Sequence, residues 1–254
     1  MALITCDFYS DVLEVSTSMT VLLPQQTRTQ IGMSGAPGHG EPPVLYLLHG
    51  LSDDHTTWVR RTSIERYAAP LGLAVVMPAV HRSFYADEVH GHRYWTFLSQ
   101  ELSQVVSSFF RVSQRQEDTY VAGLSMGGYG ALKWALREPD RFAGVASMSG
   151  ALDVVRMPER PERAGLVERV FGGMPGPQDD VLALVASADV EALPPVHLSC
   201  GTDDELVEGN RVFARAAREA GVQLTEDFRP GEHEWGFWDT EIQSVLDWLP
   251  GLST

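Results

Sequence analysis

Along this chain, apolar runs of strand length alternate with segments whose apolar residues recur at helical spacing. Val15–Pro24 (VSTSMTVLLP) alternates and is rich in β-branched residues, which predicts a half-buried strand. Val44–Gly50 (VLYLLHG) and Leu73–Pro78 (LAVVMP) are continuous apolar runs, the pattern of strands covered on both faces. Thr119–Ser125, Phe142–Gly150 and Pro195–Gly201 repeat that pattern, and Val222–Gly231 supplies a last strand. Helices are expected over Ser63–Gly72, Thr96–Phe110, Gly128–Arg137, Asn210–Gly221 and Glu234–Leu249, with Pro70, Gly72, Pro139 and Gly221 as stops. The Gly/Pro-rich stretch Gln25–Pro43 reads as an exposed hairpin loop, and Ala79–Trp95 as a long polar and aromatic loop. Ala151–Leu193 lacks strand character and is broken by Pro and Gly, so a partly helical cap insertion is expected there.

Strands alternating with helices give a mostly parallel sheet covered on both faces, the α/β class. No internal repeat interrupts the pattern, so all 254 residues are expected to form one domain. Composition adds exclusions. The formal charge of −15 is the wrong sign for nucleic acid, whose phosphates need a basic surface, and for anionic membranes. No stretch is apolar enough to span a bilayer, and the N-terminus lacks the basic and apolar regions of a signal peptide. The two cysteines, Cys6 and Cys200, lie in strand-like runs and are expected as buried free thiols in the cytoplasm.

Candidate chemistry centres on Gly123–Gly127 (GLSMG), at the junction of a buried strand and a helix. Gly-x-Ser-x-Gly in that context is a nucleophile elbow, a tight turn that exposes Ser125 at the carboxyl edge of the sheet. Gly123 and Gly127 permit the turn, and Gly128 and Gly130 let the helix lie close to the sheet. A serine hydroxyl needs a base, and the base needs an orienting carboxylate. On such a sheet the order is Ser, acid, His, and only His197 and His233 follow Ser125. His197 falls inside a strand and reads as a satisfied core histidine; His233 falls in the loop before the last helix, where the base belongs. Asp203 and Asp204, on the loop after the preceding strand, both qualify as the acid by position. The backbone N–H groups of Met126 and Leu51 are the expected oxyanion donors, with His49 as scaffolding for the second. Trp58, Tyr85, Trp95 and Trp235 fall at the catalytic end and are candidate walls of a substrate pocket. His90 and His92 lack companions at metal-site spacing, so no metal and no other cofactor is expected.

Five ordered motifs, LLHGLSDDHTTW, YWTFLSQEL, GLSMGGYGALKWAL, CGTDDEL and GEHEWGFWD, resemble the esterase D and tributyrin-esterase branch of the α/β-hydrolases. That branch also holds feruloyl esterases and S-formylglutathione hydrolases, and the likeness runs from about Thr5 to Leu249. It implies the α/β-hydrolase fold, Ser125 as nucleophile, His233 as base, Leu51 and Met126 as oxyanion donors, and Asp204 rather than Asp203 as acid. The implied activity is hydrolysis of short-chain acyl or small aryl esters through an acyl-enzyme. A small-molecule ester is then the partner, with a homo-oligomer left open. The thioester alternative, S-formylglutathione hydrolysis, is disfavoured by Leu124 and Tyr129, where that group usually reads GHSMGGHGAL. Mycolyl-type acyl transfer lacks an export signal here, and a non-catalytic binding module would have lost one of the three residues that are all present.

Overall fold

The apolar runs pair into a mixed sheet of eight strands in the computed structural model, which describes residues 1–27, 29, 31–32 and 40–252. The strands are β1 (Ala2–Ser10), β2 (Val15–Leu23), β3 (Val44–Leu48), β4 (Ala74–Pro78), β5 (Thr119–Leu124), β6 (Gly144–Met148), β7 (Val196–Gly201) and β8 (Leu224–Arg229). Their order is β1-β2-β4-β3-β5-β6-β7-β8, antiparallel as far as β4 and parallel from there on. Every residue of β3, β4, β5, β6 and β7 is buried, which accounts for their unbroken apolar character.

Two expectations change at the antiparallel edge. β1, expected only as a strand-like run around Cys6, is a full edge strand with one face open to solvent: Leu3, Thr5, Asp7 and Tyr9 point outward between more buried neighbours. Gln25–Pro43 is not a hairpin, because β2 pairs with β1 and β4 while β3 pairs with β4 and β5. Part of that segment (28, 30 and 33–39) lies outside the described residues.

The helices are α1 (Thr57–Arg61), α2 (Ile64–Ala68), α3 (Tyr94–Thr96), α4 (Leu102–Phe109), α5 (Met126–Arg137), α6 (Ala164–Phe171), α7 (Val181–Ala186), α8 (Val207–Ala220) and α9 (Trp235–Trp248). A π turn, Phe97–Glu101, joins α3 to α4. Two apolar clusters cover the sheet's faces: one joins Val121 and Val145 to Tyr129, Leu132 and Phe213, the other joins Leu45 and Ala122 to Trp58, Trp238 and Ile242. α5 is buried along almost its whole length, Met126 to Ala135, which explains why it shows no polar face. It lies between the sheet and the segment joining β6 to β7, whose Val167, Val170, Val181 and Val185 enter the first cluster. That segment contains no strand; besides α6 and α7 it holds the 3-10 turns Met157–Glu159 and Pro161–Arg163.

Candidate active site

Ser125 stands between β5 and α5 with φ 54° and ψ −118°, a region that glycine occupies far more readily than serine. The turn is held on both sides. The Ser125 N–H donates to the Met148 carbonyl at 2.9 Å, and the Ala151 N–H donates to the Ser125 carbonyl at 3.0 Å. A Cβ on Gly123 would lie 2.3 Å from the Gly127 carbonyl oxygen, and one on Gly127 would lie 2.4 Å from that of Leu48. Both glycines are therefore dictated by close backbone approach. Gly130 departs from expectation: it makes room for the ring of Tyr85, not for the sheet.

The loops after β7 and β8 bring two more side chains to Ser125. The Asp203 N–H donates to the Gly231 carbonyl at 3.0 Å, and the Thr202 N–H to that of Arg229 at 2.9 Å, tying the loops together. His233 Nε2 lies 3.0 Å from Ser125 Oγ, and its Nδ1 lies 2.8 Å from Asp204 Oδ2. A carboxylate can only accept, so Nδ1 carries the proton and Nε2 is left to accept from the serine. The His233 ring meets Trp238 edge to face at 4.8 Å. Asp204 is 3% exposed. Burial works against its charge, but hydrogen bonds from His233, the Leu206 N–H and the Ser149 hydroxyl outweigh it and hold its pKa below the ordinary value. Of the two candidate acids it is Asp204 that meets His233, while Asp203 is an exposed turn residue bonded to Thr202.

Met126 is the first residue of α5, so its N–H has no acceptor within the helix and is free to serve an oxyanion. Leu51 follows β3 on the loop facing it, and both line one cavity of about 940 Å³ with Ser125 and His233. His49 holds this loop from below. Its Nε2 accepts from the Val80 N–H at 3.1 Å, so its Nδ1 donates to the Gly50 carbonyl at 2.7 Å. Burial pushes its pKa down to about 4, so the ring stays neutral.

Three of the four candidate pocket aromatics lie elsewhere. Trp58 is fully buried and donates through Nε1 to the Leu48 carbonyl at 3.1 Å. Tyr85 is fully buried and donates through its hydroxyl to the His49 carbonyl at 2.9 Å. Trp95 lies against the Arg137 guanidinium, 4.0 Å from the ring centre. These rings brace the end of β3 and the back of α5, because a polar atom on each large ring has a backbone partner in the core or a cation over its face. Of the four only Trp235 lines the cavity, beside Phe84 and Trp238, and sequence reasoning missed Trp238 although it lies one helical turn further on. Ser149, at the carboxyl end of β6, is a second missed residue: it accepts from Trp238 Nε1 at 3.2 Å and supports Asp204. His197 is buried against Trp248, but its Nδ1 has no hydrogen-bond partner among the described residues, so it is not the satisfied core histidine expected. His92 Nδ1 lies 2.9 Å from the Leu13 carbonyl, and His90 is exposed. Cys6 and Cys200 are both unpaired; Cys200 is buried as expected, whereas Cys6 is only half-buried, in the edge strand.

A family model described as "Putative esterase" matches residues 10–249. The chain belongs to that esterase family. It is 29% identical to an acetyl esterase of Caldicellulosiruptor saccharolyticus over 266 residues, all of both chains. Among solved structures it is similar to a fluorophosphonate-binding serine hydrolase of Staphylococcus aureus, with 31% identity, a TM-score of 0.87 and 98% of each chain covered. An S-formylglutathione hydrolase from Staphylococcus aureus matches with 31% identity, a TM-score of 0.84 and the same coverage. The fold is that of the α/β-hydrolases and the enzyme is a carboxylic ester hydrolase. Among the described residues no helix is long and apolar enough to cross a membrane.

Proposed function

We propose that this esterase hydrolyses short-chain acyl or small aryl esters through an acyl-enzyme on Ser125, with His233 as general base and acid and Asp204 as its orienting carboxylate. The observation that carries the reading is the unbroken chain of contacts from Ser125 Oγ through both nitrogens of His233 to Asp204. As Ser125 Oγ attacks the ester carbonyl carbon, His233 Nε2 takes its proton and Asp204 stabilises the imidazolium. The oxyanion is received by the N–H groups of Met126 and Leu51, each contributing roughly 10²–10³ in rate. Collapse expels the alcohol, which takes the proton from Nε2, and a water repeats the sequence on the acyl-enzyme. We read residues 151–193 as a cap inserted in a single α/β domain. Two free thiols and a charge of −15 fit a cytoplasmic enzyme with no nucleic-acid partner.

Thioester hydrolysis is the second reading, favoured by one observation. Tyr129, whose identity argued against a glutathione thioester, is fully buried with its hydroxyl on the Asp179 carbonyl, away from the cavity. It exerts no direct choice between substrates.

The test combines fluorophosphonate labelling with assays on p-nitrophenyl acetate, butyrate and octanoate beside S-formylglutathione. Labelling that disappears in Ser125→Ala, with turnover highest on the shorter esters, is expected. A folded wild type that neither labels nor turns over an ester overturns the proposal, and a preference of several decades for the thioester promotes the second reading.

A further inference from the structure

Among the described residues, three arginines of the cavity around Ser125 stand without a carboxylate partner, although its walls carry six acidic side chains against four arginines. Arg82, Arg160 and Arg163 line it, Arg163 half-buried and the other two exposed, and none has a carboxylate partner among the described residues. The acids on the same walls are mostly engaged. Asp153 and Glu159 flank Arg156 at 3.8 and 3.3 Å, Glu208 meets Arg211 at 2.5 Å, and Glu234 accepts from the first N–H groups of α9. The Asp53 carboxyl is half-buried and burial raises its pKa. Asp53 and Glu205 are the lining acids with neither role, against three free guanidinium groups.

The placement of Arg82 is built into the fold. Arg169 of α6 donates through Nη2 to the Arg82 carbonyl at 3.0 Å and through Nη1 to the buried Glu88 at 2.5 Å. Glu88 in turn accepts from the His92 N–H. The loop bearing Arg82 is thus pinned to the same segment that supplies Arg160 and Arg163, and all three line one cavity. The chain's charge of −15 would repel an anion at long range. At physiological salt the screening length is about 8 Å, so the chain's remote carboxylates are largely screened and a carboxylate docked against an unpaired guanidinium feels that group most.

We propose that Arg82, Arg160 and Arg163 form an anion-recognising rim, and that the preferred substrates are esters bearing a carboxylate away from the scissile bond. A planar guanidinium offers paired N–H donors matched to a carboxylate, which makes arginine suited to this work. The inference rests on the esterase reading of the same cavity.

Two pairs of probes test it. 4-Acetoxybenzoate against 4-acetoxybenzamide puts the charge on the alcohol side. The p-nitrophenyl monoester of glutaric acid against its monoamide puts it on the acyl side. The quantity read is the anionic-to-neutral ratio of kcat/KM, compared between wild type and each variant so that intrinsic reactivity cancels. For Arg160→Ala/Arg163→Ala we expect about a tenfold fall in the ratio for at least one pair, carried by KM of the anionic ester. A smaller fall is expected for Arg82→Ala, partial rescue in Arg163→Lys, and a wild-type ratio that declines between low salt and about 0.5 M. Ratios unmoved by the substitutions in both pairs overturn the inference while leaving the esterase reading intact. A folded wild type inert on all four esters overturns that reading, and this inference with it.

Discussion

The hydroxyl of Tyr129 donates to the Asp179 carbonyl at 2.7 Å, and one turn further along α5 the ammonium of Lys133 meets the Asp179 carboxylate at 2.6 Å. The chain's single lysine is fully buried, where it also donates to the Tyr85 carbonyl at 2.9 Å. The helix that follows Ser125 is thereby fastened to the segment between β6 and β7. Burial pushes the Lys133 pKa down to about 8, against the pull of Asp179, so the pair is held at some cost in desolvation. Lys133→Met should lower stability by about 3–5 kcal/mol because it strands Asp179 in the core. Lys133→Met/Asp179→Leu should recover most of that loss. Urea unfolding of the two variants checks the pair; equal losses in both would show that packing, not charge, is what the lysine supplies.

Asp204→Asn keeps the size of the side chain but reverses the hydrogen-bond demand on His233 Nδ1. An amide nitrogen facing Nδ1 would favour the tautomer that protonates Nε2, which cannot accept the Ser125 proton. Turnover of p-nitrophenyl acetate should fall by about 10⁴ in kcat, with little change in KM. Asp203→Asn, one residue away and outside the contact chain, should stay within a factor of a few of wild type.

The strain at Ser125 gives a stability prediction of the opposite sign to its activity. With φ 54° and ψ −118°, Ser125→Gly should be more stable than Ser125→Ala by about 1 kcal/mol, both being inactive. Gly127→Ala should instead be severely destabilised, because its Cβ would press on the Leu48 and His49 carbonyl oxygens, 2.4 and 2.8 Å away. Thermal unfolding of the three variants compares them directly.

How much of this was legible in the chain depended on whether a residue's role is local. The buried parallel strands, the GLSMG elbow and His233 follow from apolar runs, turn chemistry and order along the chain. Asp204 against Asp203 did not: both occupy the same turn, and only a family likeness separated them before the contact with His233 did. Trp58, Tyr85 and Trp95 misled because proximity to catalytic loops in sequence says nothing of which way a ring faces. Their polar atoms or ring faces instead met Leu48, His49 and Arg137 in the interior. The extent of β1 was blurred by its half-exposed alternation, and the arginine rim had no motif, because its residues come from loops far apart in the chain.

Two buried histidines predict the enzyme's response to acid. Burial lowers both His49 and His197 to about 4, against an ordinary value of 6.5. Between those values the unfolded chain binds protons that the folded one refuses, so stability is full above about pH 6.5 and falls as pH drops toward 4. Each histidine accounts for on the order of 3 kcal/mol of that loss. For His49 the cause is visible in its bonds: protonating Nε2 would set it against the Val80 N–H that it now accepts from. His197→Phe keeps a ring against Trp248 and removes one of the two titrations. Its urea midpoint should therefore decline less steeply than wild type between pH 6.5 and 4.5, with the two curves nearly parallel above pH 7. A slope unchanged by the substitution would show that His197 already binds its proton in the folded enzyme.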